Sequence, residues 1–172
     1  MIAILTLAAA AAAAPAGPAR LVYCHMGECS WSRKASNRVV RTTRAGTLRK
    51  YSAFDGISTF RDNPPAAWSP RIRIRWPAHP STDYVFCSRS QPALAFYSDG
   101  QWIAHALDLF DLYGYNTASA VIYLRACHGL DYSSRDIEKK LRALGYRPGT
   151  RSEQVEIKSP DQLVALPPRR RD

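Results

Sequence analysis

Four cysteines, four histidines and a run of alternating arginines are the residues of this sequence whose types and spacing bear on chemistry. Cys24 and Cys29 stand five positions apart in "YCHMGECSW", and Cys87 and Cys127 are isolated from them and from each other. His follows cysteine twice, in Cys24-His25 and Cys127-His128, which raises a thiolate–imidazole metal site. Zinc sites use Cys-x₂₋₄-Cys knuckles, commonly in pairs, and no second knuckle is present. A Cys-x-x-Cys redox motif is absent as well. The expectation is therefore no metal, no cofactor and a disulfide framework.

Three pairings of the four cysteines are possible, and sequence does not choose among them. A two-residue turn at Met26-Gly27 would set His25 opposite Glu28 and Cys24 opposite Cys29, within bridging distance. Met suits the positive φ of such a turn poorly, so the rival stays open, in which the N-terminal cysteines reach Cys87 and Cys127. Cys24–Cys29 with Cys87–Cys127 is the favoured arrangement.

Disulfides belong to oxidising compartments, and the N-terminus points the same way. Ile2 to Ala14 is an apolar run interrupted only by Thr6, followed by Pro and small residues. Ala14-Pro15-Ala16 and Gly17-Pro18-Ala19 offer the small-x-small pattern of signal peptidase sites. The run falls short of the ~20 residues that span a bilayer. No Lys or Arg precedes it, so the α-amino group alone supplies the positive charge. Residues 1–19 are expected to be a secretory signal, and the mature chain to be periplasmic or secreted in a bacterium, with no membrane span.

The strongest charge feature is "RIRIRWP" at 71–77, where Arg71, Arg73 and Arg75 alternate with Ile72, Ile74 and Trp76. Period-two alternation predicts a strand with three guanidiniums on one sheet face. Guanidinium binds phosphates and carboxylates through a planar fork, so these arginines are the candidate binding residues. Their setting is basic: residues 20–76 carry 12 Lys and Arg against 3 Asp and Glu, within a net charge of +10. Only five of the 24 basic residues are lysine, a bias that a GC-rich genome produces without selection for binding. The expected partner is an anionic envelope polymer or an acidic protein, with nucleic acid a less favoured choice. The closing Arg169-Arg170-Arg171 reads as a solubilising tail.

Catalytic constellations are scarce. Gly-x-Ser-x-Gly, His-Glu-x-x-His and a glycine-rich phosphate loop are all absent. His105 with Asp108 or Asp111 has the spacing of a base and its orienter, but such spacing arises often by chance, and a satisfied structural histidine is the favoured reading. His128 is expected at a helix-end carbonyl. Asp83, Asp99, Asp108 and Asp111 lie in the less basic middle, where two carboxylates can meet. Among the tryptophans, Trp31, Trp68, Trp76 and Trp102, exposed members would make stacking platforms; Trp76 and Trp102 fit core positions.

The elements that must position these residues read as strands first and helices later. "RLVYC", "CSWSRK", the runs around Ala45-Gly46, "STDYVFCSR" and the two arms of Asp99-Gly100 are strands and hairpins. "RDNPPAAWSP" is a loop. Asn116 or Thr117 can cap a helix ending at Cys127 or His128 before Gly129, although "VIYLRAC" is also compatible with a buried strand. Ser133 or Ser134 can cap a second helix carrying Ile137, Leu141 and Leu144 to Gly145. The predicted fold is α+β: an antiparallel sheet in the N-terminal two thirds, packed by two or three C-terminal helices and stapled by disulfides. Residues 20–148 form a single domain in this reading, and 149–172 a polar, mobile tail.

One stretch resembles a known family. "DIEKKLRALGYRPG" (136–149) is similar to the end of the first helix of peptidoglycan-binding modules, whose pattern is roughly Leu-Gln-x-x-Leu-x-x-Leu-Gly-Tyr-x-Pro-Gly. The Asp-Gly-x-x-Gly stretch and second helix that follow in that family have no counterpart in "TRSEQVEIKSPDQL". The resemblance implies cell-wall binding. The whole reading is an exported, non-catalytic binding protein of envelope-interaction, inhibitor or immunity type. The alternative is a small secreted hydrolase such as a nuclease or cell-wall enzyme.

Overall fold

In the computed structural model, residues 18–112, 115–132 and 136–167 are described. The expected signal segment up to residue 17, the Ser133/Ser134 cap and the Arg169–Arg171 triplet lie outside them. Seven strands form one antiparallel sheet whose spatial order follows the chain: β1 (Arg20–His25), β2 (Glu28–Thr43), β3 (Gly46–Thr59), β4 (Ser81–Cys87), β5 (Ala93–Ser98), β6 (Gln101–Ala106) and β7 (Glu153–Ile157). Helices α1 (Tyr115–His128) and α2 (Ile137–Ala143) are inserted between β6 and β7, and a 3₁₀ helix (Pro160–Ala165) follows. The fold is α+β with two disulfides, Cys24–Cys29 and Cys87–Cys127.

Local chemistry sets the hairpins. Met26 and Gly27 both take positive φ (48° and 81°), as do Asp99 and Gly100 (50° and 85°), the geometry that matches strand twist. Cys24 then lies opposite Cys29 and His25 opposite Glu28. The Cys24–Cys29 bond holds this corner behind a methionine in a conformation that costs about 1 kcal/mol. The hairpin expected around Ala45-Gly46 turns one residue earlier: Thr43 pairs with Gly46, leaving Arg44-Ala45 as the turn. A Cβ at Gly46 would meet the Cys87 carbonyl oxygen at 2.5 Å, so the close approach of β4 demands glycine. By loop-closure entropy, the Cys87–Cys127 bond, whose ends are 40 positions apart, contributes about 4 kcal/mol, and Cys24–Cys29 about 2 kcal/mol.

Alternation along the strands divides the core in two. On one face Tyr51, Ala53, Val85 and Leu94 pack against Ala120, Tyr123 and Leu124 of α1 and Leu141 of α2. On the other, Leu48, Phe86, Ala95 and Ala104 pack against Leu163 of the 3₁₀ helix. The helix form of 117–128 prevails over the strand form because its apolar residues reach one sheet face at helical spacing. Gly129 (φ 65°) closes α1: its N–H donates to Arg125 O and that of Leu130 to Leu124 O. At the N-terminus the expected caps act in reverse. The Asn116 amide donates to the carbonyls of Asp108 and Asp111, and the Thr117 hydroxyl to Leu112 O, tying the preceding loop down. Gly145 ends α2, where Tyr146 N–H donates to Leu141 O.

Two further expectations are corrected. Residues 71–77 are not a strand: apart from an isolated bridge between Arg75 and Ile57, they make no ladder. Pro70 and Pro77 bound the segment and lack N–H donors, while β4 already occupies β3 along Thr47–Ala53. The alternation is real but serves packing, with Ile72, Ile74 and Trp76 covering Cys29 and Trp31 while Arg71, Arg73 and Arg75 stay exposed. Nor are residues 149–167 a tail. β7 pairs with β6 from Trp102↔Ile157 to Ala106↔Glu153, and Leu163 is fully buried. A five-residue strand with three polar members gave too weak a periodic signal to stand out.

Candidate functional site: a basic sheet corner and its cavity

β2 and β3 are the longest strands, at 16 and 14 residues, and the register across the corner fixes which side chains share a face. One row runs Arg20–Ser32–Asp55, and the next runs Tyr23–Ser30–Ile57–Arg75. Directly opposed residues point to the same side of a sheet. Tyr23, Ile57 and Arg75 are exposed, so the corner presents an apolar pair edged by guanidinium. Its reverse side is closed by Trp31, whose indole N–H donates to Ser58 Oγ at 2.8 Å, and by Ile74 and Trp76. Arg33 reinforces that cover, its guanidinium 4.7 Å from the Trp76 ring centroid.

Next to the exposed rows, a cavity of about 310 Å³ opens between β1–β3 and the C-terminal end of α1. Arg20, Ser32, Lys34, Tyr51, Arg125 and Gly129 line it, together with Pro18, which belongs to the expected signal segment 1–19. Asp131 clamps two of the cations: Arg20 Nη1 lies 3.0 Å from one carboxylate oxygen and Arg125 Nε 2.9 Å from the other. Arg125, almost wholly buried, also donates from Nη2 to Leu21 O at 2.8 Å. Two of the three cations are thus bonded to one carboxylate, and a second carboxylate, Asp55, stands in the same cross-strand row as Arg20 and Ser32. Burial pushes the Tyr51 hydroxyl above its ordinary range, against the opposing pull of Arg125, so it stays a donor at neutral pH.

Asp83 faces Tyr51 across the β3–β4 pair. Burial, and secondarily the negative charge of Asp55, raise its carboxyl to about 7. Asp55 accepts a hydrogen bond from Ser81 Oγ at 2.6 Å. Of the four carboxylates in the middle of the chain, Asp83 is the one raised, and the charge that adds to its burial is that of Asp55, a residue of the basic half.

Two of the four histidines, His105 and His128, are taken up in packing, while His25 and His79 are exposed. His105 is fully buried, with Nδ1 2.9 Å from Ser119 Oγ and Nε2 3.0 Å from Ser152 Oγ, and desolvation lowers it to about 4. His128 does not meet a helix-end carbonyl as expected: its Nε2 lies 2.7 Å from the Tyr146 hydroxyl, which contacts Tyr123 OH at 2.8 Å. Burial and then the Arg89 charge lower its pKa. Tyr123 in turn donates to Ser88 O and accepts from Ser88 N–H beside the Cys87–Cys127 bond. The Leu144-Gly145-Tyr146 end that resembles the peptidoglycan-binding modules is thus used for internal packing, and β7 follows it.

All four cysteines are disulfide-bonded and supply no thiolate to a metal. Trp68 is exposed, while Trp31 is wholly buried and Trp76 and Trp102 are half-buried. Sequence reasoning missed Arg20, Lys34, Tyr51 and Arg125. Arg125 carried a signal, a lone cation inside the apolar run "VIYLRAC", where a charge needs a partner. Neither a protein-family model, nor a curated protein, nor a solved structure matches this chain.

Proposed function

We propose that this chain is an exported, non-catalytic binding protein of envelope-interaction, inhibitor or immunity type, which captures an anionic envelope polymer or an acidic protein through its basic sheet corner. The observation that carries the reading is the cross-strand row that sets exposed Tyr23, Ile57 and Arg75 on the same side as the cationic cavity. Arg71 and Arg73 extend the charge along the neighbouring segment and are exposed with Arg75. Exposed apolar side chains flanked by arginine suit a partner that offers both charge and contact area. Two disulfides are compatible with a periplasmic or extracellular setting, and no helix among the described residues is long and apolar enough to cross a membrane.

The test is capture of immobilised lipopolysaccharide and of an acidic protein across a salt series. Wild type is expected to bind with strong salt dependence, and Arg73→Glu with Arg75→Glu to weaken binding and flatten that dependence. Equal binding by the double variant would sink the reading. A secreted hydrolase is the second reading, favoured by Asp83 titrating near neutrality beside Asp55. Turnover of peptidoglycan or nucleic acid that disappears in Asp83→Asn would select it.

A further inference from the structure

We infer that the cavity between β1–β3 and the end of α1 is a binding site for the phosphoryl group of a phosphate monoester, held by Arg20, Lys34, Arg125, Ser32 and Tyr51. The inference deepens the reading above, and rests on it for the class of partner, by naming the group that the basic corner recognises.

Three features of the cavity argue for it. Its volume of about 310 Å³ sits at the small end of ligand pockets, enough for a phosphoryl group and part of the unit that bears it. Its cations are Arg20, Lys34 and Arg125, against Asp131, which bonds two of them, and Asp55 opposite Ser32, so the cavity keeps a net positive charge. A phosphoryl group is drawn by that positive charge and has three oxygens to share among the donors, where a carboxylate has two. Asp55, the third member of the Arg20–Ser32 row, accepts a hydrogen bond from Ser81 Oγ at 2.6 Å.

The third feature is preorganisation. Asp131 holds the guanidiniums of Arg20 and Arg125 through one nitrogen each, and Leu21 O fixes a second nitrogen of Arg125. Two forks oriented in advance need no further ordering when an anion arrives. Ser32 and Tyr51, both almost wholly buried and hydrogen-bonded to each other, add a hydroxyl pair at the wall of the cavity, and Lys34 adds an exposed point charge on a flexible stem. Donors of this number and variety suit the three oxygens of a phosphoryl group.

The experiment is calorimetric titration of the disulfide-intact protein with glucose 1-phosphate at pH 7.5 and constant ionic strength, with inorganic phosphate and acetate as competitors. Saturable binding with a Kd of about 1 mM or tighter is expected. Lys34→Met and Ser32→Ala should each weaken it, Lys34→Met by about tenfold, and Lys139→Met on α2, outside the cavity, should leave it unchanged. Because Arg125 is buried and ion-paired, Lys34 and Ser32 carry the test without threatening the fold. No saturable binding up to about 10 mM, unchanged binding in both cavity variants, or equal displacement by acetate would overturn the inference. Binding of inorganic phosphate with exclusion of the sugar phosphate would overturn the ester assignment. The titration contains no polymer, so its failure leaves the corner's capture of anionic partners standing, and failure of capture leaves the cavity standing.

Discussion

His105 makes a sharp prediction about acid stability. The ring is 0% exposed, sandwiched between Ser119 of α1 and Ser152 just before β7, and burial lowers its pKa from 6.5 to about 4. Either serine hydroxyl can donate or accept, so hydrogen bonding does not select the neutral ring; desolvation does. Between pH 6.5 and 4 the unfolded chain takes up a proton at this position that the folded chain refuses. Stability contributed by His105 is therefore fully present above 6.5 and is lost as pH falls toward 4. A shift of two to three pKa units corresponds to about 3 kcal/mol. The assay is urea unfolding of wild type and His105→Gln from pH 8 to pH 4, with the His105 ring resonances followed by NMR. Glutamine keeps polar contacts to the serines without a titration, so the advantage of wild type over the variant should shrink by about 3 kcal/mol across that window. A constant difference, or a ring that titrates near 6.5, would refute the desolvation argument.

Asp83 carries the opposite sign. Its carboxyl, raised from 3.8 to about 7 by burial and then by Asp55, holds a proton that the unfolded chain has already released, so its contribution falls as pH rises from 4 to 7. Asp83→Asn should leave stability at pH 4 unchanged and raise it at pH 8 by on the order of 2 kcal/mol, after discounting the full shift for partial exposure; no gain at pH 8 by urea titration would contradict this. Gly56→Ala would bring a Cβ within 2.5 Å of Ile74 Cγ2 and 2.7 Å of the Trp76 ring. It should cost about 1–3 kcal/mol and expose Trp76, read as a red-shifted tryptophan emission; an unshifted spectrum with unchanged Cm would argue against the cover formed by 72–76.

Much of the frame was legible in the chain because it rests on local rules. Positive-φ turns at Met26-Gly27 and Asp99-Gly100, glycine stops at Gly129 and Gly145 and period-two strands need only neighbouring residues to specify them. The favoured disulfide pairing followed from one such turn, since a two-residue hairpin places Cys24 opposite Cys29 and leaves the other two to each other. Alternation at 71–77 told correctly which side chains face inward, and misled about backbone pairing, because an extended segment packed on Trp31 has the same period as a strand.

What the sequence by itself determined, then, is the sheet, its turns, the helix stops and the basic character of the N-terminal half. Only tertiary structure decided that β7 extends the sheet beyond β6, that His128 meets Tyr146, and that Arg20, Lys34 and Arg125 converge on one cavity. Arg20 and Arg125 are more than a hundred positions apart and share one carboxylate, Asp131. Periodicity reports which way a side chain points from its own element. It holds no information on which distant element lies opposite, and that depends on register and on the packing of α1 across the sheet.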